Sequence, residues 1–212
     1  MGADLSDSSQ LAARLPVLVG GLLLGGESRR YGSPKQLARW GEVTLAERAA
    51  AALAAVTGEV VLLGAGEVPP ALAGLVRIAD APGARGPIAG LVAGLAAYPG
   101  RALLALACDQ PLIGRAELAW LAERRRGGAI AVVARWAAAG IDPLPGLYEP
   151  AALPVLRELA ARGGSLQPLA GRADVVAEPP PAALRRAWTS VDRPAELAAL
   201  VAAQHRGQGG AE

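Results

Sequence analysis

Between residues 22 and 35 the chain reads Leu22-Leu23-Leu24-Gly25-Gly26-Glu27-Ser28-Arg29-Arg30-Tyr31-Gly32-Ser33-Pro34-Lys35. An apolar run, Leu15 to Leu24, leads directly into paired glycines, two arginines, a third glycine and a lysine. Such a composition suits a polyphosphate. Glycine lets backbone N–H groups approach phosphate oxygens closely, and the cations neutralise charge that the amides cannot. An ordinary strand-to-helix turn also uses glycine for geometry and arginine for solubility, and Arg30 with Lys35 tilts the reading towards an anion site. The loop is not a P-loop, because no Gly-Lys pair occurs in the chain. Nor is it the Gly-x-Gly-x-x-Gly fingerprint, since Gly25 and Gly26 are adjacent and the next glycine is Gly32.

Two carboxylates occupy comparable places. Asp109 directly follows the run Ala102 to Cys108 and precedes Gln110-Pro111. A carboxylate at the end of a buried strand is oriented by the sheet and faces the cleft, which suits an Mg²⁺ ligand bridging to triphosphate oxygens. An aspartate that only stabilises the turn with Pro111 accounts equally well for Asp109 taken alone. Asp80 follows the apolar stretch Leu75–Ile78 and opens a Gly/Pro loop, through Gly86, that runs into a helix start. Helix N-termini offer free amides to an anion or a ribose hydroxyl. Three such segments at three strand ends strengthen one another. Cys108 reads as a small buried residue, because no histidine or lysine neighbour activates it.

These residues need a scaffold, and the chain supplies one. Its 212 residues, 52% of them hydrophobic, suffice for one domain with a sizeable core. Short apolar runs alternate with longer Ala/Leu-rich stretches, the pattern of an α/β fold with a mostly parallel sheet. Strands are expected at Val17–Leu23, Glu59–Leu63, Leu75–Ile78, Ala102–Ala107 and Ala129–Ala134, with weaker ones at Leu144–Tyr148 and Asp174–Ala177. Helices are expected at Leu45–Val56, Ile88–Ala97, Arg115–Arg125, Ala151–Ala161 and Pro194–Gln204, the first opened by a Thr44/Glu47 capping box. Residues 1–14 and 206–212 read as disordered tails around a domain spanning 15–205. In such folds ligands sit outside the carboxyl ends of the strands, where the glycine loop, Asp80 and Asp109 all fall.

Composition excludes several classes. Net charge is only +2, and Arg124-Arg125-Arg126 reads as a solvated helix end rather than a nucleic-acid patch. One cysteine and one histidine, His205 in the polar tail, exclude a disulfide framework, a cysteine zinc site and histidine triads. Any metal must therefore be held by carboxylates, water and ligand oxygens, which suits Mg²⁺. The first 14 residues form no signal peptide, and no apolar run reaches the ~18 residues of a membrane span. A soluble, cytoplasmic protein is expected, with no membrane and no nucleic acid among its partners.

Taken together, the motifs resemble the molybdenum cofactor guanylyltransferases. Leu23 to Lys35 is similar to the signature loop of nucleotidyltransferases with a Rossmann-like fold. Asp80 with Gly86-Pro87-Ile88-Ala89-Gly90-Leu91 resembles that family's Gly-Pro-Leu-Ala-Gly-Leu, and Cys108-Asp109-Gln110-Pro111 its Cys-Asp-x-Pro. Pro143 to Tyr148 resembles the strand that follows, and Ser190-Val191-Asp192-Arg193-Pro194-Ala195-Glu196-Leu197 the closing Asn-x-Asn-Thr-Pro-Glu-Glu-Leu. The resemblance runs in order from Val17 to about Leu200.

It implies a single three-layer α/β/α domain of the nucleotide-diphospho-sugar transferase type. It also implies transfer of GMP from GTP to the terminal phosphate of molybdopterin, with Mg²⁺ as cofactor. On matching positions, Leu23, Gly25 and Gly26 would line the nucleotide, together with Asp80 and Gly86. Arg30 would bind the leaving phosphates, Lys35 would stabilise the α-phosphate, and Asp109 would hold the metal. Asp142, Trp188, Ser190 and Asp192 would face the acceptor, and cofactor-pathway or acceptor enzymes would be partners. Four places depart from the pattern: Ser190 and Asp192 replace asparagines, Asp142 stands where a histidine is common, and Leu63-Gly64-Ala65-Gly66 stands where the family often has an asparagine near the nucleotide. Ser33-Pro34-Lys35-Gln36-Leu37 and the Asp109-Gln110-Pro111 triplet also resemble the sister cytidylyltransferases of the same cofactor pathway. A non-catalytic nucleotide-binding adaptor is the alternative of another class. Trp40, Trp120 and Trp136 are expected in packing roles, and Arg135 and Arg162 on the solvated surface.

Overall fold

In the computed structural model the described residues are 17–25, 31–136 and 140–208, without the side chains of 205–208. Gly26 and Arg30, and the N-terminal tail, lie outside them. Strands β1 (Leu18–Leu23), β4 (Val60–Leu63), β5 (Arg77–Ile78), β6 (Ala102–Ala107), β7 (Ala131–Trp136), β8 (Gly140–Tyr148) and β9 (Val175–Glu178) form one sheet. Their order is β5-β4-β1-β6-β8-β7-β9. Every neighbouring pair is parallel except the two that involve β8. Two-residue strands β2 (Arg39–Trp40) and β3 (Val43–Thr44) make a small separate hairpin.

Side chains alternate across a strand, and both faces of this sheet are covered, so its strands read as nearly unbroken apolar runs. Leu22, Leu62, Leu104, Leu106 and Val132 face one layer, formed by α1 (Leu45–Ala54) and α3 (Arg115–Glu123). Their neighbours Val61, Leu63, Leu103, Ala105 and Val133 face α2 (Pro87–Ala97) and α4 (Leu153–Ala161) on the other side. Each fully buried leucine contributes about 1.5–3 kcal/mol relative to exposure. Helix α5 (Pro194–Gln208) closes a third cluster with Tyr31, Trp40, Leu45, Val191 and Leu197.

The expected three-layer fold is therefore present. The capping box forms as expected: Thr44 N–H donates to Glu47 Oε2 at 2.6 Å, and Glu47 N–H donates to Thr44 Oγ1 at 3.1 Å. Helix α5 continues past the domain limit expected at residue 205. The arginine run is not the solvated end that charge pattern suggested. Arg125 makes a two-pronged ion pair with Glu149 in which both side chains are 8% exposed, and Arg124 stacks 4.5 Å over Trp120 while donating to Glu178. Among the described residues no helix is long and apolar enough to cross a membrane.

Candidate active site

Because β1, β4, β5, β6 and β7 all point the same way, their carboxyl ends share one edge of the sheet. At the β1–β4–β5 side that edge is made of backbone. Leu24 N–H donates to the Leu63 carbonyl at 2.7 Å, and Gly66 N–H donates to the Leu24 carbonyl at 2.9 Å. A Cβ on Gly64, whose φ is +99°, would stand 2.5 Å from the Leu24 oxygen, so no larger residue fits this approach. Arg77 donates to the carbonyls of Gly64 and Gly66, holding the turn. Asp80 is exposed and lies over the same two strands, its Oδ1 close to the Cβ positions that Gly64 and Gly90 leave vacant. Gly86 precedes α2, with Pro87 at the first helical position, so the helix begins without a side-chain cap.

One strand over, at the end of β6, charges converge. Lys35 opens the short 3₁₀ turn Lys35–Leu37, and its Nζ donates to Asp192 Oδ1 at 3.0 Å across 157 residues of sequence. Its side chain is 13% exposed, that of Asp192 47%. Burial raises the Asp109 carboxyl above its ordinary range, nearby Lys35 lowers it, and Asp192 raises it further. Lys35, Asp109 and Asp192 thus act on one another at one place. The Asp109 carbonyl accepts from Val191 N–H at 2.8 Å, which ties the closing segment to the end of β6. The Cys108 thiol is pushed up to about 12 by burial and then by Asp109, so it is protonated and inert.

The loop after Asp109 is gripped from two further sides. Arg48 Nε of α1 donates to the Pro111 carbonyl at 2.6 Å, and its guanidinium lies 4.9 Å over Trp40. Gln110 donates through Nε2 to Asp142 Oδ2 at 3.1 Å. Asp142 is half-buried. Burial is the main cause that pushes its carboxyl up to about 6, opposed by donation from Leu144 N–H and Gln110, with Asp109 pushing the same way as burial. Arg48 has no mark in the sequence, since it sits mid-helix with nothing in its spacing to set it apart. Gln110 is marked only as a member of the Cys108-Asp109-Gln110-Pro111 motif, with no role of its own.

Of the residues expected to face an acceptor, Asp142 and Asp192 reach the electrostatic neighbourhood of Asp109. Ser190 is exposed, two residues before Asp192. Trp188 is instead packed inside, 7% exposed, edge-on to Trp120 at 5.8 Å and to Trp136 at 6.2 Å. Arg135 spends its guanidinium on the carbonyls of Ala177 and Ala170. Among the described residues no group of three or more acidic, histidine or cysteine side chains could hold a metal. A divalent ion would find Asp109 and Asp192 here and would need substrate oxygens and water to complete its shell.

A mostly parallel sheet with helices on both faces, and a charged cluster at its carboxyl edge, defines a nucleotide-diphospho-sugar transferase fold. Molybdopterin-guanine dinucleotide biosynthesis protein A of Archaeoglobus fulgidus superposes with a TM-score of 0.72 at 20% identity, covering 89% of this chain and 99% of that one. Residues 20–177 match the MobA-like NTP transferase domain, and the chain belongs to that family. Two relatives bear the name probable molybdenum cofactor guanylyltransferase. The one from Opitutus terrae is 34% identical over 160 residues, 72% of this chain and 77% of its own length. The one from Chloroflexus aggregans is 34% identical over 152 residues, 69% and 73% of the two chains.

Proposed function

We propose that this enzyme transfers GMP from GTP to the terminal phosphate of molybdopterin, releasing pyrophosphate, in the cytoplasm. The observation that carries this reading is the convergence of Lys35, Asp109 and Asp192 at the carboxyl end of β6, next to the loop that follows β1. An acceptor phosphate oxygen forms a bond to the α-phosphorus of GTP. The bond from that phosphorus to the bridging oxygen breaks, and its electron pair leaves with pyrophosphate. Such a transfer depends on positioning and charge neutralisation, and a phosphate nucleophile is already anionic near neutral pH, so no histidine base is needed.

Lys35 meets charge building on the α-phosphate, exchanging Asp192 for a phosphate oxygen. Asp109, with Asp192 beside it, would hold an Mg²⁺, which would supply Lewis-acid neutralisation of the phosphate oxygens. The raised Asp109 carboxyl fits this duty, because a buried carboxylate beside a second one gains most from a dication. Leu23, Gly25, Gly26, Gly86 and Asp80 line the nucleotide, and Arg30 takes the leaving phosphates. Asp142, Ser190 and Asp192 face the acceptor, with Trp188 behind them. Pyrophosphate release from GTP and molybdopterin, with CTP in parallel, tests the assignment. Turnover with GTP that is lost in Lys35→Ala and Asp109→Ala supports it, and full activity in both variants rejects these roles. Faster turnover with CTP moves the chain to the sister cytidylyltransferases.

A further inference from the structure

At the far end of the carboxyl edge, β8 departs from regular pairing. Val133 pairs with Gly146 but Ala134 pairs with Asp142, so residues 143–145 loop out of the ladder. Bulges of this kind re-aim a side chain and are common beside sites. The bulge is built in: Tyr148, fully buried, donates its hydroxyl to the Pro143 carbonyl at 2.7 Å, and a Cβ on Gly146 would stand 2.4 Å from that same oxygen. Gln167 brackets the strand start, donating to the Ile141 carbonyl at 2.9 Å. What the bulge presents is Asp142.

Asp142 is opposite Ala134, and Trp136 is two residues further along β7, so both side chains project from the same face. Diagonal neighbours on a sheet face lie about 7–8 Å apart, within reach of one ligand ring. Trp136 is half-buried and backed by Trp188, which is itself packed against Trp120. Gln110 is 6% exposed. Its Nε2 is committed to Asp142, and its Oε1 has no donor among the described residues. The polar side of this corner therefore offers the Asp142 carboxylate as acceptor, with the buried Gln110 behind it, and its other side is aromatic.

We infer that the Asp142–Trp136 corner, buttressed by Gln110, is a subsite for a 2-aminopyrimidin-4-one ring, taking its adjacent N–H donors at Asp142 and its face at Trp136. The inference rests on the transferase reading above and names the part of the acceptor recognised here. Guanine carries the same donor edge as a pterin. The structure favours the pterin, because the backbone-built nucleotide side lies across β1 and β4, with β6 and β8 separating it from β7.

The test is direct binding by the full-length chain of pterin and of lumazine, which carries a carbonyl in place of the amino group, with GTP and ITP titrated alongside in the presence of Mg²⁺. Wild type is expected to bind pterin about tenfold more tightly than lumazine, the scale of a hydrogen bond to a charged group. Asp142→Asn is expected to reverse that order. Trp136→Ala should weaken both pteridines about tenfold, and Trp136→Phe, which keeps a ring, should restore them. The GTP-to-ITP affinity ratio should stay unchanged in every variant, which also reports that each is folded. Equal pterin binding by wild type, Asp142→Asn and Trp136→Ala overturns the subsite, as does no pterin binding by wild type. A GTP-to-ITP ratio that falls in Asp142→Asn assigns the corner to guanine and overturns the pterin assignment. Pyrophosphate release from GTP with molybdopterin is scored separately: if it persists while the subsite fails, the transferase reading stands.

Discussion

The two halves of the carboxyl edge are made of different material. On the β1–β4–β5 side the surface is main chain: Leu24 bonds to Leu63 and Gly66, Gly64 bonds to Ile78, Arg77 grips the carbonyls of Gly64 and Gly66, and small residues allow the close approach. On the β6–β8–β7 side the surface is side chain, with Asp109 and Asp192 beside Lys35 and Gln110 bonded to Asp142. A backbone surface tolerates no added volume but many changes of charge elsewhere. A side-chain surface tolerates shape changes but is sensitive to each charge.

The largest effect is expected at the junction. Lys35→Ala and Asp109→Asn should each lower kcat/KM by about 10²–10³-fold, the scale of losing one preorganised charge partner, read from pyrophosphate release. Next comes volume on the main-chain side. Gly64→Ala imposes a Cβ at φ +99° against the Leu24 oxygen and should cost about 1–3 kcal/mol in urea unfolding, with KM for the nucleotide rising more than kcat falls. If Gly64→Ala is silent, the main-chain half is not close-fitting. Smaller still is Arg48→Ala, which removes the bond to Pro111 and the contact with Trp40. A loss of about 1–2 kcal/mol is expected, together with a higher Mg²⁺ concentration for half-maximal turnover, because Asp109 loses a brace.

The smallest and most specific effect is one of pH. The Asp142 carboxyl sits at about 6, above its ordinary value near 3.8. Between those values the folded chain holds a proton that the unfolded chain has released, so this contribution to stability is full below about pH 4 and is lost as pH rises through about 6. Asp142→Asn should flatten that part of the curve, measured as urea midpoints from pH 4 to 8. An unchanged slope would place Asp142 in a more solvated setting than its neighbours indicate.

Much of this was legible in the chain itself, for identifiable reasons. β6 falls on the expected residues because Ala102 to Ala107 is buried on both faces and bounded by a polar turn. α1 starts at Leu45 because the capping box fixes it, and it stops at Ala54, earlier than apolar periodicity alone suggests. β2 and β3 were not visible, since two residues carry no period. β8 starts at Gly140 rather than Leu144, because Pro143 and Pro145 speak against a strand and a bulge absorbs them. Lys35 and Asp109 were marked by their motifs. Gln110 stood in the same motif without a role and Arg48 was unmarked, because their work depends on partners 32 and 63 residues away. Trp188 was legible as an aromatic beside the closing segment, but its burial among tryptophans was not.

Everything after Glu178 lies beyond the last sheet strand and beyond the residues that match the family domain. Yet Val191 reaches back to the Asp109 carbonyl, and Asp192 to Lys35. A protein shortened at that boundary would keep every strand of the sheet yet lose the buried Trp188 and Val191 together with the contacts to Lys35 and Asp109. The closing segment therefore couples the packing of the core to the position of Lys35 and Asp109, although it adds no strand.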